Sequence, residues 1–74
     1  MRQSQCYEIR VKEHLEPSYS ERLGGLSIYP AFAHGQAITV LSGPLCDQAA
    51  LQGVLDTLMN MGVTLLEFRR VEPP

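Results

Sequence analysis

Soft metal ligands are scarce in this chain. Cys6, His14, His34 and Cys46 are all it carries. No two of them stand at a CxxC, HxxH or HxxxH spacing, so no local pattern points to zinc or copper, and no cofactor is expected. The same scarcity excludes a disulfide framework. One Cys6–Cys46 bridge is open from the sequence, but the polar opening MRQSQCYEIR contains no secretory segment, and reduced thiols are expected. Long apolar runs are missing as well: nothing approaches the roughly 20 residues that a membrane helix needs. A soluble, cytoplasmic protein without a membrane partner is the expectation. Excess positive charge is also lacking, with six Lys and Arg against eight Asp and Glu and a net charge of −2. Apart from Arg69 and Arg70 the cations are scattered, so the footprint that would neutralise several phosphates is absent and nucleic acid is not an expected partner.

Seventy-four residues provide for one domain, placed at residues 6–72. A chain this short buries only about 60% of its unfolded surface, which leaves a single core marginal. Small domains usually compensate with disulfides, a metal or a partner chain. With the first two disfavoured, the partner chain gains weight.

What is present is organised around Ser42–Glu72, SGPLCDQAALQGVLDTLMNMGVTLLEFRRVE. Asp47 suits an N-cap, because its short carboxylate can accept from an unpaired first-turn amide. Ala50, Leu51, Val54, Leu55, Leu58 and Met61 then fall on one helical face, with Gln48, Gln52, Asp56 and Asn60 on the other. Gly62 stands where a left-handed residue would stop the helix. The following VTLLEFRRV is β-branched and apolar, as strands are.

Upstream, Tyr7–Glu13 alternates as a half-buried strand, with Tyr7, Ile9 and Val11 on one side and Glu8, Arg10 and Lys12 on the other. Pro17 followed by SYSERLGG opens either a helix of two turns at most or a structured loop, with Tyr19 and Leu23 facing inward. Leu26–Phe32 reads as a strand in which Pro30 cannot donate to a ladder, which assigns it to an edge. Ala33–Gln36 is a turn, and Ala37–Ser42 completes a hairpin. The order β, short helix or loop, β, β, helix, β predicts an α+β, ferredoxin-like βαββαβ domain with a stunted or loop-like first helix. Its four-stranded antiparallel sheet would carry the main helix on one face and leave the other open.

Strict alternation assigns Ile9, Val11, Ile28, Ile38, Val40, Leu66 and Phe68 to the covered face. The open face then receives Glu8, Arg10, Lys12, Ser27, Tyr29, Thr39, Leu41, Leu65, Glu67, Arg69 and Val71. Tyr29, Leu41, Leu65 and Val71 would form an uncovered apolar patch, and such patches on small domains usually meet something. A second copy of the chain is the economical occupant, because isologous pairing is the commonest oligomer. Cover of the patch by loops, the short helix region or a bulge is the plainer alternative.

The chemistry-bearing residues stay below the level of a site. Cys46 beside a helix start could be a thiolate, yet nucleophilic catalysis needs a positioned base, and only His14 or His34 offers one. A structural cysteine is favoured. SGPLCDQ has one glycine, Pro44 removes a donor and Asp47 opposes an anion, so it makes a poor phosphate cradle. RNA recognition on the open sheet would need stacking aromatics on the inner strands, where the sequence puts Glu8, Arg10, Lys12, Thr39 and Leu41. Tyr29, the one aromatic on that face, falls on the edge.

HLEP, SYSERLGGLSI, LSGPLCDQAALQGVL and MGVTLLEFRRVEP together resemble a family of small stand-alone bacterial proteins, generally described as hypothetical. The resemblance runs from Tyr7 to Pro73, with GP..DQAAL and LL..RRV as its sharpest words. The family often has tryptophan or phenylalanine at Tyr19 and Leu23 and a histidine at Gln52; if that histidine has a chemical role, its absence argues against catalysis here. The resemblance implies a compact cytoplasmic domain and transfers no catalytic or binding residues. The expectation is therefore a non-enzymatic, homodimeric protein-interaction module, able to dock an unidentified protein partner. Its alternative is a small-ligand-binding regulatory or sensor domain with a pocket near His14, Tyr19 and Gln52, an expectation that rests on fold analogy.

Overall fold

The structure, a computed structural model, describes residues 5–71. The polar lead-in at residues 1–4 and the domain limit at Glu72 lie outside the described residues. Four strands, β1 (Gln5–Lys12), β2 (Ser27–Ala33), β3 (Gln36–Leu45) and β4 (Leu65–Val71), form one antiparallel sheet in the order β2-β3-β1-β4. One α-helix, α1 (Gln48–Asn60), lies on the sheet, and a 3₁₀ helix spans Pro17–Leu23. The domain is thus α+β, with an open antiparallel sheet and one main helix.

Local chemistry explains the punctuation. Asp47 caps α1: its Oδ1 accepts from the Ala50 amide at 2.8 Å, a contact whose loss usually costs about 1 kcal/mol. Gly62, at φ 80°, turns the chain out of the helix. His34 and Gly35 both take positive φ between the paired Ala33 and Gln36, the two-residue loop that matches strand twist in a hairpin. Pro17 opens the 3₁₀ helix and a left-handed Gly24 closes it, so the segment between β1 and β2 is a short helix rather than a loop.

The core joins Tyr7, Ile9 and Val11 of β1 and Leu41 and Leu45 of β3 to Leu51, Val54 and Leu58 of α1. Leu23, Leu26 and Ile28 close it on the β2 side. Two face assignments from the sequence are corrected here. Leu41 stands opposite both Ile9 and Ile28, and is fully buried rather than on the open face. Ile38 and Val40 take the open face instead. The β3 segment is apolar on both sides, so its alternation could not choose between the two; pairing with β1 decides. Thr39, carried inward with Leu41, is satisfied there because its hydroxyl donates to Glu13 O (2.7 Å) and accepts from the Leu15 amide (2.8 Å). Ile38 and Val40 are buried without a helix above them, flanked in register by Lys12 and Ala31 and by Arg10 and Tyr29.

Leu65 is the second correction. Arg10 pairs with Glu67, but Val11 pairs with Leu65, so Leu66 is an extra residue in β4. This bulge breaks the alternation that would have sent Leu65 to the open face. Leu65 shares Val11's side, under the helix layer.

Candidate functional site

α1 lies closest to the 3₁₀ helix and β3, which displaces it toward the β2 side of the sheet. β4 therefore contributes no residue to the core, and all seven of its residues are exposed. Four of them are large and apolar: Leu65, Leu66, Phe68 and Val71, each 36–49% exposed. Phe68 is partly sheltered by Tyr7, whose ring stacks on it at 5.6 Å between centroids.

Displacement of the helix leaves a groove of about 260 Å³, lined by Gln52, Leu55, Asp56, Leu58, Met59, Val63 and Leu65. Its walls are mostly aliphatic. The polar part is the Gln52–Asp56 pair, in which the Gln52 amide donates to Asp56 at 3.0 Å.

The open face divides lengthwise. Toward β2 it carries Tyr29, Ala31, Ile38 and Val40. Toward β4 it carries charge: Glu8 stands opposite Arg69, and Arg10 opposite Glu67. Arg10 Nε donates to Glu8 at 2.9 Å and lies 3.6 Å from Glu67, while Arg69 lies 3.5 Å from Glu8. The four form a square of alternating sign. The hydrogen bond from Arg10 chiefly holds the Glu8 carboxyl below its ordinary value of 4.5, and partial desolvation opposes the shift. Glu8 in turn raises the pKa of Arg10.

The residues singled out from sequence are scattered. Of the proposed dimer patch, Tyr29 and Val71 are on the open face at opposite edges, while Leu41 is in the core and Leu65 lines the groove. Of the proposed ligand pocket, only Gln52 lines the groove. His14 is exposed beside β2, with its ring edge-on to Phe32 and its Nε2 3.5 Å from Ala31 O. Tyr19 packs against the core from the 3₁₀ helix, with Arg22 5.9 Å from its ring centre. The three do not converge. What sequence reading missed is the square of charges and the exposure of β4. The first was legible as the Glu-x-Arg spacing shared by β1 (Glu8, Arg10) and β4 (Glu67, Arg69) once a register is known; the second had no signal, because it depends on where α1 comes to rest.

Cys6 is half-buried and Cys46 exposed, both as free thiols. Among the described residues no three His, Cys, Asp or Glu side chains gather as metal ligands, and no helix is long and apolar enough to cross a membrane. No curated protein and no solved structure matches the chain. A protein family does: its description, domain of unknown function DUF8691, matches residues 6–69, and the chain belongs to that family.

Proposed function

We propose that this domain is a small, non-catalytic, cytoplasmic interaction module that homodimerises along β4. The observation that carries it is the state of that strand: an edge, without proline, with Leu65, Leu66, Phe68 and Val71 all exposed in a domain whose core is small. An uncovered strand edge with this much exposed apolar surface is a template for a further strand. The interface moves from the sheet's open face to its β4 edge, because Leu41 and Leu65 do not lie on that face. A ferredoxin-like architecture is supported by β1 and β3 as inner strands, β2 and β4 as edges, and a helical segment in each of the two longer connections. The non-catalytic part rests on the sequence, whose cysteines and histidines share no motif spacing.

Sedimentation over a concentration series tests this. The wild-type chain is expected to dimerise, Phe68→Lys to weaken the dimer strongly, and Tyr29→Lys to leave it intact. A wild-type chain that stays monomeric at high concentration removes the proposal.

The groove favours a second function, binding of a small apolar ligand for regulation. Its aliphatic walls with Asp56 at one side suit a neutral or cationic molecule. Titration with a cationic aromatic probe should give saturable binding that Met59→Lys abolishes. Unsaturable binding, or binding indifferent to Met59→Lys, would discard it.

A further inference from the structure

The backbone of β1 fixes which groups β4 presents outward. The Lys12 amide donates to Thr64 O at 2.8 Å, and the Glu13 amide to Ala37 O at 2.9 Å. Even-numbered residues of β1 therefore turn their backbone groups toward β4 and odd-numbered ones toward β3. Glu8–Arg69 and Arg10–Glu67 are then hydrogen-bonded pairs, and Ile9–Phe68 is not. Between Glu67 and Arg69, Phe68 directs its N–H and C=O away from the sheet.

We infer that β4 pairs antiparallel with β4 of a second copy, with Phe68 on the two-fold axis. This rests on the proposed dimerisation along β4 and specifies its partner and register. A symmetric antiparallel pair must place one residue opposite itself. With Phe68 there, the two Phe68 residues exchange their outward backbone hydrogen bonds, and Glu67 of each copy stands opposite Arg69 of the other. Those two positions are non-hydrogen-bonded pairs, where side chains approach most closely. Moving the axis to Glu67 would set glutamate against glutamate, and moving it to Arg69 would set arginine against arginine. The sequence Glu67-Phe68-Arg69 is thus complementary to itself in one register only.

The surroundings agree. Directly opposed residues share a face, so each Glu67–Arg69 contact extends the existing square of charges. One row becomes Glu8, Arg69, then Glu67 and Arg10 of the second copy, alternating in sign across four strands; the other row is its symmetry mate. On the helix side the two Tyr7–Phe68 stacks meet across the axis. Both helices lie on the same face, and each apolar groove beside β4 gains a wall from the other copy. One eight-stranded sheet results.

Charge reversal in two separate chains tests the register. Glu67→Lys and Arg69→Glu each place like charges at both symmetric contacts, so each homodimer should weaken about tenfold. Mixed in equal amounts, the two variants restore both opposite-charge contacts and should associate as a heterodimer close to wild-type affinity. Amide exchange by NMR gives an independent readout: the Phe68 amide should gain protection as wild-type concentration rises, and the Glu67 amide should be protected throughout. A wild-type dimer whose variants do not rescue one another, with a Phe68 amide indifferent to concentration, overturns the register and leaves dimerisation standing. A monomeric wild-type chain overturns both.

Discussion

β2 and β4 are both seven-residue edge strands of one antiparallel sheet, yet they meet solvent on different terms. β2 is covered on its helix side at its start, where Ile28 is buried against Leu23 and Leu26, while Phe32, farther along the same side, is 73% exposed. At its middle is Pro30, opposite Thr39, whose backbone groups turn toward β1; the proline therefore removes a donor from the outer edge. β4 has neither protection. It does carry Glu67, Arg69 and Arg70, and charge is a common guard on edges. Around Glu67 and Arg69, however, the charges alternate in sign and are matched to their own reversed copy. Apolar exposure alone therefore does not mark an interface. An edge left without proline and without cover, with charges that pair rather than repel, does.

The largest test of this asymmetry is to make the same truncation on each side. Leu23→Ala, in the closed half, should cost about 2–5 kcal/mol, the range for a buried leucine losing its packing. Leu66→Ala, in β4, should cost under about 0.5 kcal/mol in the monomer, as surface substitutions do. Chemical denaturation at low protein concentration measures both. Equal costs would mean that β4 is packed as tightly as β2 and that the comparison fails.

Two glycines sharpen it further. Gly24 and Gly62 have φ of 70° and 80°, so an added Cβ meets the same backbone strain at each, about 1–2 kcal/mol. Their surroundings differ. At Gly24 the new atom would fall 2.9 Å from Leu45 Cδ2 and 3.0 Å from Val54 Cγ2, while at Gly62 it would meet nothing within 4 Å. Gly24→Ala should be the more destabilising by thermal denaturation, and the difference reports the packing of the closed half alone. A Gly62→Ala variant that is as damaged as Gly24→Ala would show the helix end beside β4 to be under a constraint that its open surroundings do not reveal.

Most of the architecture was legible because its signals are local. The Asp47 cap, the spacing of Leu51, Val54 and Leu58, Gly62 and Pro30 each act within one or two turns of chain. The face of β3 was not legible, since Ile38 and Val40 are as apolar as Leu41 and only the pairing of Leu41 with Ile9 settles which side turns inward. Leu65 failed for a similar reason. A single extra residue, Leu66, reverses the alternation on which the assignment depended, and nothing in LLEF announces a bulge. The ligand pocket expected from His14, Tyr19 and Gln52 came from fold analogy rather than from a local signal, and of the three only Gln52 lines the groove. α1 rests toward β2, so the groove opens beside Leu65 of β4, and neither His14 nor Tyr19 lines it.

The smallest expected effect concerns Glu8, which ties the charged half of the open face together. Its folded-state pKa lies below the ordinary 4.5, chiefly through the hydrogen bond from Arg10, with the charge of Arg69 adding to it. A carboxyl whose pKa is lowered on folding stabilises the fold as carboxylate. That contribution is complete above the unfolded value and disappears as the pH falls through the folded one. Wild-type stability should therefore drop more steeply below pH 4.5 than that of Glu8→Gln, which has no carboxylate to protonate. Urea midpoints measured across that interval would show the two curves converging at the acid end. The gap between them should shrink in added salt, since Arg10 and Arg69 reach Glu8 from solvent. On the β2 side, Tyr29→Phe should leave the acid slope unchanged, because the apolar half of the face holds no carboxylate. Parallel curves for wild type and Glu8→Gln would show that the square of charges adds nothing to the monomer, leaving pairing with a second copy as the one condition under which its order matters.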